Sequence, residues 1–125
     1  MSVSINYDNE NNFLVVKVVG EITAEQHEAC MSEIIASDNI PSHANALWDL
    51  TEMDFSLVDI ELERQIAKTR EQMNKDRGSA KVALVSSYDL GEPLLKLFKI
   101  LTQHLDQQMK IFKTMENAKD WLTDN

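Results

Sequence analysis

The sequence predicts an α/β fold with one mixed, mostly parallel sheet, and three observations carry that expectation. Strand-like and helix-like segments follow one another in the order ββαβαβαβα. Only the first two strands are joined by a short polar turn, Asp8 to Asn12, so they form an antiparallel hairpin, whereas later strands are separated by helices and must run parallel through right-handed crossovers. Val82 to Val85 is apolar without interruption, the pattern of a parallel strand covered on both faces. At 125 residues, with no repeat and no Pro/Gly-rich linker, residues 1–125 read as one domain.

Each element has its own signature. Ser2 to Tyr7 and Phe13 to Val19 are the hairpin strands, ended by Gly20. Thr23 followed by Gln26 is a capping box, and His27, Cys30, Met31, Ile34 and Ile35 share the inward face of the helix that it opens. Asp38 to Asn45, with Pro41, breaks this helix before a short buried strand, Ala46 to Leu50. Ser56 is the expected N-cap of a helix from Leu57 to about Asn74, with Val58, Leu62, Ile66, Thr69 and Met73 as its apolar stripe and Gly78 as its end. Glu61 and Glu63 on it read as a solvated face. After the Val82 strand and a Leu-rich helix come a strand, Met109 to Phe112, and a final helix capped by Thr114 that turns Met115, Ala118, Trp121 and Leu122 inward.

The Leu-rich helix, Leu94 to Leu105, carries more apolar surface than a sheet can cover. On a wheel Leu94, Leu97, Phe98, Leu101 and Leu105 fall in one sector, with Leu95 and Ile100 on opposite flanks, an arc of roughly 220° where about 100° suffices for packing. The expectation is a packed central sector with Leu95 and Ile100 partly exposed. Leu94, Leu95, Leu97, Phe98, Ile100 and Leu101 are therefore the candidate ligand- or membrane-binding residues. A loop from Ser86 to Pro93 would gate them.

Charge restricts the partners. The formal net charge is −9, made of −9 in residues 1–80, +2 in residues 81–113 and −2 beyond, so the apolar helix lies in the one stretch that is not acidic. Nucleic acid is excluded as an expected partner because phosphate contacts need clustered Lys and Arg. A hydrophobic ligand, a membrane surface, a regulatory protein or a second copy of the chain in a homodimer remain. The single cysteine, Cys30, rules out an internal disulfide, and the first eight residues lack a signal-peptide pattern, which together point to a cytoplasmic protein, with peripheral membrane attachment as a variant of that reading.

The hairpin, capped helix, strand ending in Asp49-Leu50-Thr51, Val82-Ala83-Leu84-Val85 strand and closing helix with Ala118 and Trp121 together resemble a STAS domain, in particular the bacterial SpoIIAA-like, STAS/SEC14-related proteins. The resemblance spans nearly the whole chain. It implies a non-enzymatic module that binds proteins, nucleotides or hydrophobic ligands. Members that act as anti-sigma-factor antagonists are switched by phosphorylation of a serine in an Asp-Ser-Ser-Gly-like motif; here the stretch reads Phe55-Ser56-Leu57-Val58-Asp59, without it. The alternative signalling reading therefore rests on a partner loop after the third strand, with Asp49, Thr51, Asp54, Ser56, Ser86 and Ser87 as its candidate residues.

Catalytic and metal readings find little support. Asp49, Ser86 and Lys113, expected at three parallel strand ends, resemble a phospho-receiver set, but the acidic pair that would hold its magnesium is missing after the first strand. His27 and Cys30 lie among apolar residues and read as satisfied core side chains, His43 and His104 lack partners at ligand spacing, and the isolated glycines form no phosphate loop. No cofactor is expected.

Overall fold

A computed structural model describes residues 2–77, 80–87 and 91–124. Its elements are β1 (Ser2–Asp8), β2 (Phe13–Gly20), α1 (Ala24–Ala36), β3 (Asn45–Met53), α2 (Ile60–Arg77), β4 (Lys81–Val85), α3 (Gly91–Leu101), β5 (Gln108–Phe112) and α4 (Met115–Thr123). The strands form one sheet in the order β1-β2-β3-β4-β5, with β1 antiparallel to β2 and the other pairs parallel. This is the α/β fold with a mixed, mostly parallel sheet that the element order predicts.

Local chemistry fixes the ends. In the hairpin turn the Asp8 carboxylate accepts from the backbone N–H of Glu10 and Asn11, and Asn12 takes the left-handed conformation, φ 52°, that Asn tolerates well. Tyr7 Oη donates to Asn12 Oδ1 at 2.7 Å and closes the loop. The Thr23–Gln26 capping box is formed in both directions. Ser56, by contrast, is not a helix cap. Asp59 takes that role, its carboxylate accepting from Leu62 N at 2.8 Å, and α2 starts at Ile60, three residues later than the sequence suggests. The strand expected to stop at Leu50 runs on to Met53, because Val19 and Gly20 extend the pairing past a register shift in β2. Gly78 lies outside the described residues.

Strand alternation sends successive side chains to opposite faces, and each face has its own helical layer. Leu14, Val16, Val18, Ala46, Trp48, Leu50, Val82 and Leu84 meet α1, α2 and α3. Phe13, Leu47, Ala83 and Val85 meet α4 through Ala118 and Leu122. The α4 layer is tied down at its far end, where Lys81 Nζ donates to the carbonyls of Trp121 and Asp124.

The Leu-rich helix departs from the wheel in two ways. It ends at Leu101 rather than Leu105, where Thr102 turns its hydroxyl back to the Phe98 carbonyl at 3.0 Å. Its buried stripe is Gly91, Leu95, Phe98 and Thr102, whereas Leu94, Leu97 and Leu101 are half-buried. Leu95, expected at an exposed flank, is 6% exposed. The physical reason is that α3 contacts both α2 and β5, so part of its wide arc faces a neighbouring helix rather than solvent. Ile100, on the other flank, is 60% exposed.

Candidate functional site

Between the sheet and the α1–α3 layer lies a cavity of about 70 Å³, or about 550 Å³ when all empty space out to its open mouth is included. Its inner wall is apolar and fully buried: Trp48 and Leu50 from β3, Leu84 from β4, Leu95 and Phe98 from α3, and Phe55 from the loop after β3. Half-buried Met53, Val58, Leu62 and Ile66 line it too, and they mark the side on which it meets solvent. Gly91 leaves room for Phe55: an added Cβ there would lie 3.0 Å from the Phe55 ring and 2.6 Å from Ser86 Oγ.

Three polar side chains also line this apolar space: His27 from α1 and Glu63 and Arg70 from α2. His27 is 2% exposed, stacks on Trp48 with ring centroids 5.6 Å apart, and makes no hydrogen bond through Nδ1 or Nε2. Burial, with the nearby Arg70 charge, holds its pKa well below the usual imidazole value, so the ring is neutral. Glu63 is 4% exposed, and its Oε2 has no hydrogen-bond partner. Burial pushes its pKa up to about 7. The Arg70 guanidinium lies 4.7 Å over the Trp48 ring and 5.7 Å from Phe98, with the attraction of a cation to an aromatic face. Two sequence-based expectations are corrected here. His27 is a core residue but not a satisfied one, and Glu63 is not on a solvated face: helical spacing from Asp59, the true cap, turns it inward beside Ile66 and Ala67. A carboxylate one position after an apolar Leu62 gives no signal in the sequence that it points inward.

The candidate residues of the Leu-rich helix divide. Leu95 and Phe98 form cavity wall, Leu94 and Leu101 pack half-buried on the core, Leu97 is half-buried, and Ile100 alone stands out in solvent. The residues proposed for the loop after the third strand do not converge. Asp49 is not at a strand end; it sits within β3, accepting from both Thr51 N and Thr51 Oγ1. Asp54 accepts from Ser56 N at 2.9 Å in an exposed turn, and the Ser56 hydroxyl together with that N–H holds the Asp54 carboxyl below its ordinary pKa. Leu57 and Ile60 beside it are 67% and 49% exposed, an apolar pair that the sequence, which starts the helix at Leu57, does not single out. Ser86 is buried after β4 and Ser87 is exposed, while residues 88–90 of the expected gate lie outside the described residues.

Of the receiver-like set, only Ser86 and Lys113 share a groove, about 430 Å³ between α3 and β5, with Lys96, Lys99 and Lys110. Glu92 also lines it, pairing with Lys96 at 3.3 Å and Lys113 at 3.6 Å. Asp49 is absent from it. No group of His, Cys, Asp or Glu suited to a metal ion occurs among the described residues, and none of their helices is long and apolar enough to cross a membrane. The Cys30 thiol is buried, which pushes its pKa up to about 11 and suppresses the reactive thiolate.

An α/β sheet with a hairpin edge, three helices on one face and one on the other is the architecture of a STAS-type module. The chain belongs to the SpoIIAA-like family, whose model matches residues 13–123. Among solved structures it is similar to an uncharacterized protein of the DUF3478 family with a SpoIIAA-like fold from Shewanella loihica PV-4. The two are 22% identical with a TM-score of 0.65, over 97% of this chain and 92% of that one, a likeness of fold. No curated protein matches the sequence.

Proposed function

We propose that this protein is a non-enzymatic binding module that takes up a small hydrophobic ligand between its sheet and the α1–α3 layer. Modules of the STAS-like family are generally non-enzymatic. The observation that carries the reading is the apolar cavity walled by Trp48, Leu50, Phe55, Leu95 and Phe98, with flexible or half-buried side chains such as Met53 and Leu62 toward solvent. The interior of about 70 Å³ is near half the ~150 Å³ at which an engineered apolar cavity binds benzene, so a longer ligand runs out toward the open side.

Membrane docking through the Leu-rich helix becomes the weaker alternative. It drew its affinity from two exposed flanks, and with Leu95 in the core only Ile100 offers a freely exposed side chain, about 1.5 to 3 kcal/mol on full burial. That supports at most transient attachment beside Lys96 and Lys99, in a protein that works in the cytoplasm. A signalling role through a protein partner has its own support in exposed Leu57 and Ile60, next to the Asp54–Ser56 turn.

Native mass spectrometry of the gently purified protein tests the proposal. A retained small apolar adduct, lost from a variant with Leu84→Trp filling the cavity, is the expected result. A bare mass under all conditions, with no uptake of added medium-chain aliphatic compounds, would overturn it; a dimer mass dependent on Leu57 and Ile60 would favour the partner reading.

A further inference from the structure

The polar atoms inside the cavity go further than its apolar wall, because they specify the head of the ligand. An apolar pocket without hydrogen-bonding groups would accept any hydrocarbon of fitting shape. Here His27 and Glu63, both more than nine-tenths buried, reach the same cavity from different helices and make no hydrogen bond with the protein at His27 Nδ1, His27 Nε2 or Glu63 Oε2. Leaving such groups unpaired in an apolar interior is costly, so they are expected to have a partner when the protein works.

The charges narrow that partner. His27 is a neutral imidazole, with one N–H to give and one lone pair to fill. Glu63 supplies an acceptor when ionised and a further donor when protonated. A cationic head would enter beside Arg70, whose guanidinium is already stacked on the Trp48 wall; an anionic head would meet Glu63 and raise the cost of ionising it. A group that is uncharged and can donate and accept at once satisfies the unpaired atoms without either conflict.

We infer that the cavity selects an aliphatic compound with a neutral hydroxyl head, bound by His27 and Glu63, whose tail leaves past Met53, Val58, Leu62 and Ile66. This rests on the hydrophobic-ligand reading above and adds the chemistry of the head. The size agrees: about 70 Å³ inside takes a hydroxyl and the first carbons, and the remainder of the chain runs out through the open mouth.

The test uses the full chain with Trp121→Phe, so that fluorescence reports on Trp48 alone. It is titrated with 1-octanol, methyl heptyl ether of similar length, octylammonium and octanoate. Octanol should bind about tenfold more tightly than the ether, the net worth of one well-made buried hydrogen bond, and more tightly than either ion. Glu63→Leu and His27→Phe should each lose the preference for octanol over the ether; Glu63→Gln, which keeps a donor and an acceptor, should retain most of it. Equal binding of octanol and ether by the parent would overturn the head assignment and leave the apolar reading intact. Preference for octylammonium or octanoate would overturn the assignment in favour of charge pairing. Binding of none of the four would remove both readings.

Discussion

Replacing Glu63 by Gln should expose a pH dependence that the native protein conceals. Glu63 binds its proton up to about pH 7 when folded but, from an ordinary value of 4.5, only below that when unfolded. Between these values the folded state holds more protons, so stability falls as pH rises, by about 1.4 kcal/mol per unit and about 3 kcal/mol in all. His27 works the other way. Folded, it stays neutral well below 6.5; unfolded, it takes a proton below 6.5, so stability falls as pH drops from that point. Below pH 6.5 the two slopes oppose each other. Glu63→Gln removes one of them, and its stability should climb with pH toward 6.5, while His27→Phe should show the reverse trend. Urea unfolding at half-unit steps from pH 4.5 to 7.5 measures this, and the difference between variant and parent removes the contribution of surface carboxylates common to both. Parallel profiles for parent and Glu63→Gln would refute the placement of Glu63 in an apolar interior.

Other substitutions separate wall from surface. Leu95→Ala should cost about 2 to 5 kcal/mol in the same unfolding assay, as a large-to-small change in the core, whereas Ile100→Ser should stay within about 0.5 kcal/mol; equal costs would place Leu95 in solvent. Gly91→Ala, which in an open helix is expected to stabilise, should instead cost about 1 to 3 kcal/mol, because the new methyl would meet Ser86 Oγ at 2.6 Å; a rise in thermal midpoint would contradict this contact. Phosphopeptide mapping after expression in bacteria should find Ser56 unmodified in most molecules, since the family's phosphoacceptor motif is missing there, and stoichiometric modification would revive the antagonist-like reading.

The fold was legible because its signals are local and mutually consistent. The five-residue polar turn sets the hairpin, Thr23 and Gln26 open α1, and the uninterrupted Val82–Val85 run marks a central strand whose neighbours must be parallel. Two residues of the cavity wall, Leu95 and Phe98, are among the candidates the sequence offers, though for a different reason than the one that places them there. A helical wheel gives the width of an apolar arc but not the number of surfaces that share it, and α3 divides its arc between β5 and α2. Of the polar lining, the sequence turns His27 inward but gives no sign of Glu63. Glu63 looks like any solvated carboxylate on an acidic helix, and only the start of α2 at Ile60, fixed by the Asp59 cap, together with the tertiary approach of α1, brings it into the cavity with His27. Unpaired buried polar atoms contradict the rule that a core should be satisfied, and functional sites are where such contradictions are expected.

The central claim is that a ligand enters between the sheet and the α1–α3 layer, and methyl and indole NMR shifts during titration with 1-octanol test it most directly. Saturable shifts confined to Trp48, Leu50, Val58, Leu62, Ile66 and Leu95, with Ile100 and the α4 layer unmoved, are the predicted result. Shifts centred on Ile100 or on Leu57 and Ile60, or none that saturate, would contradict it.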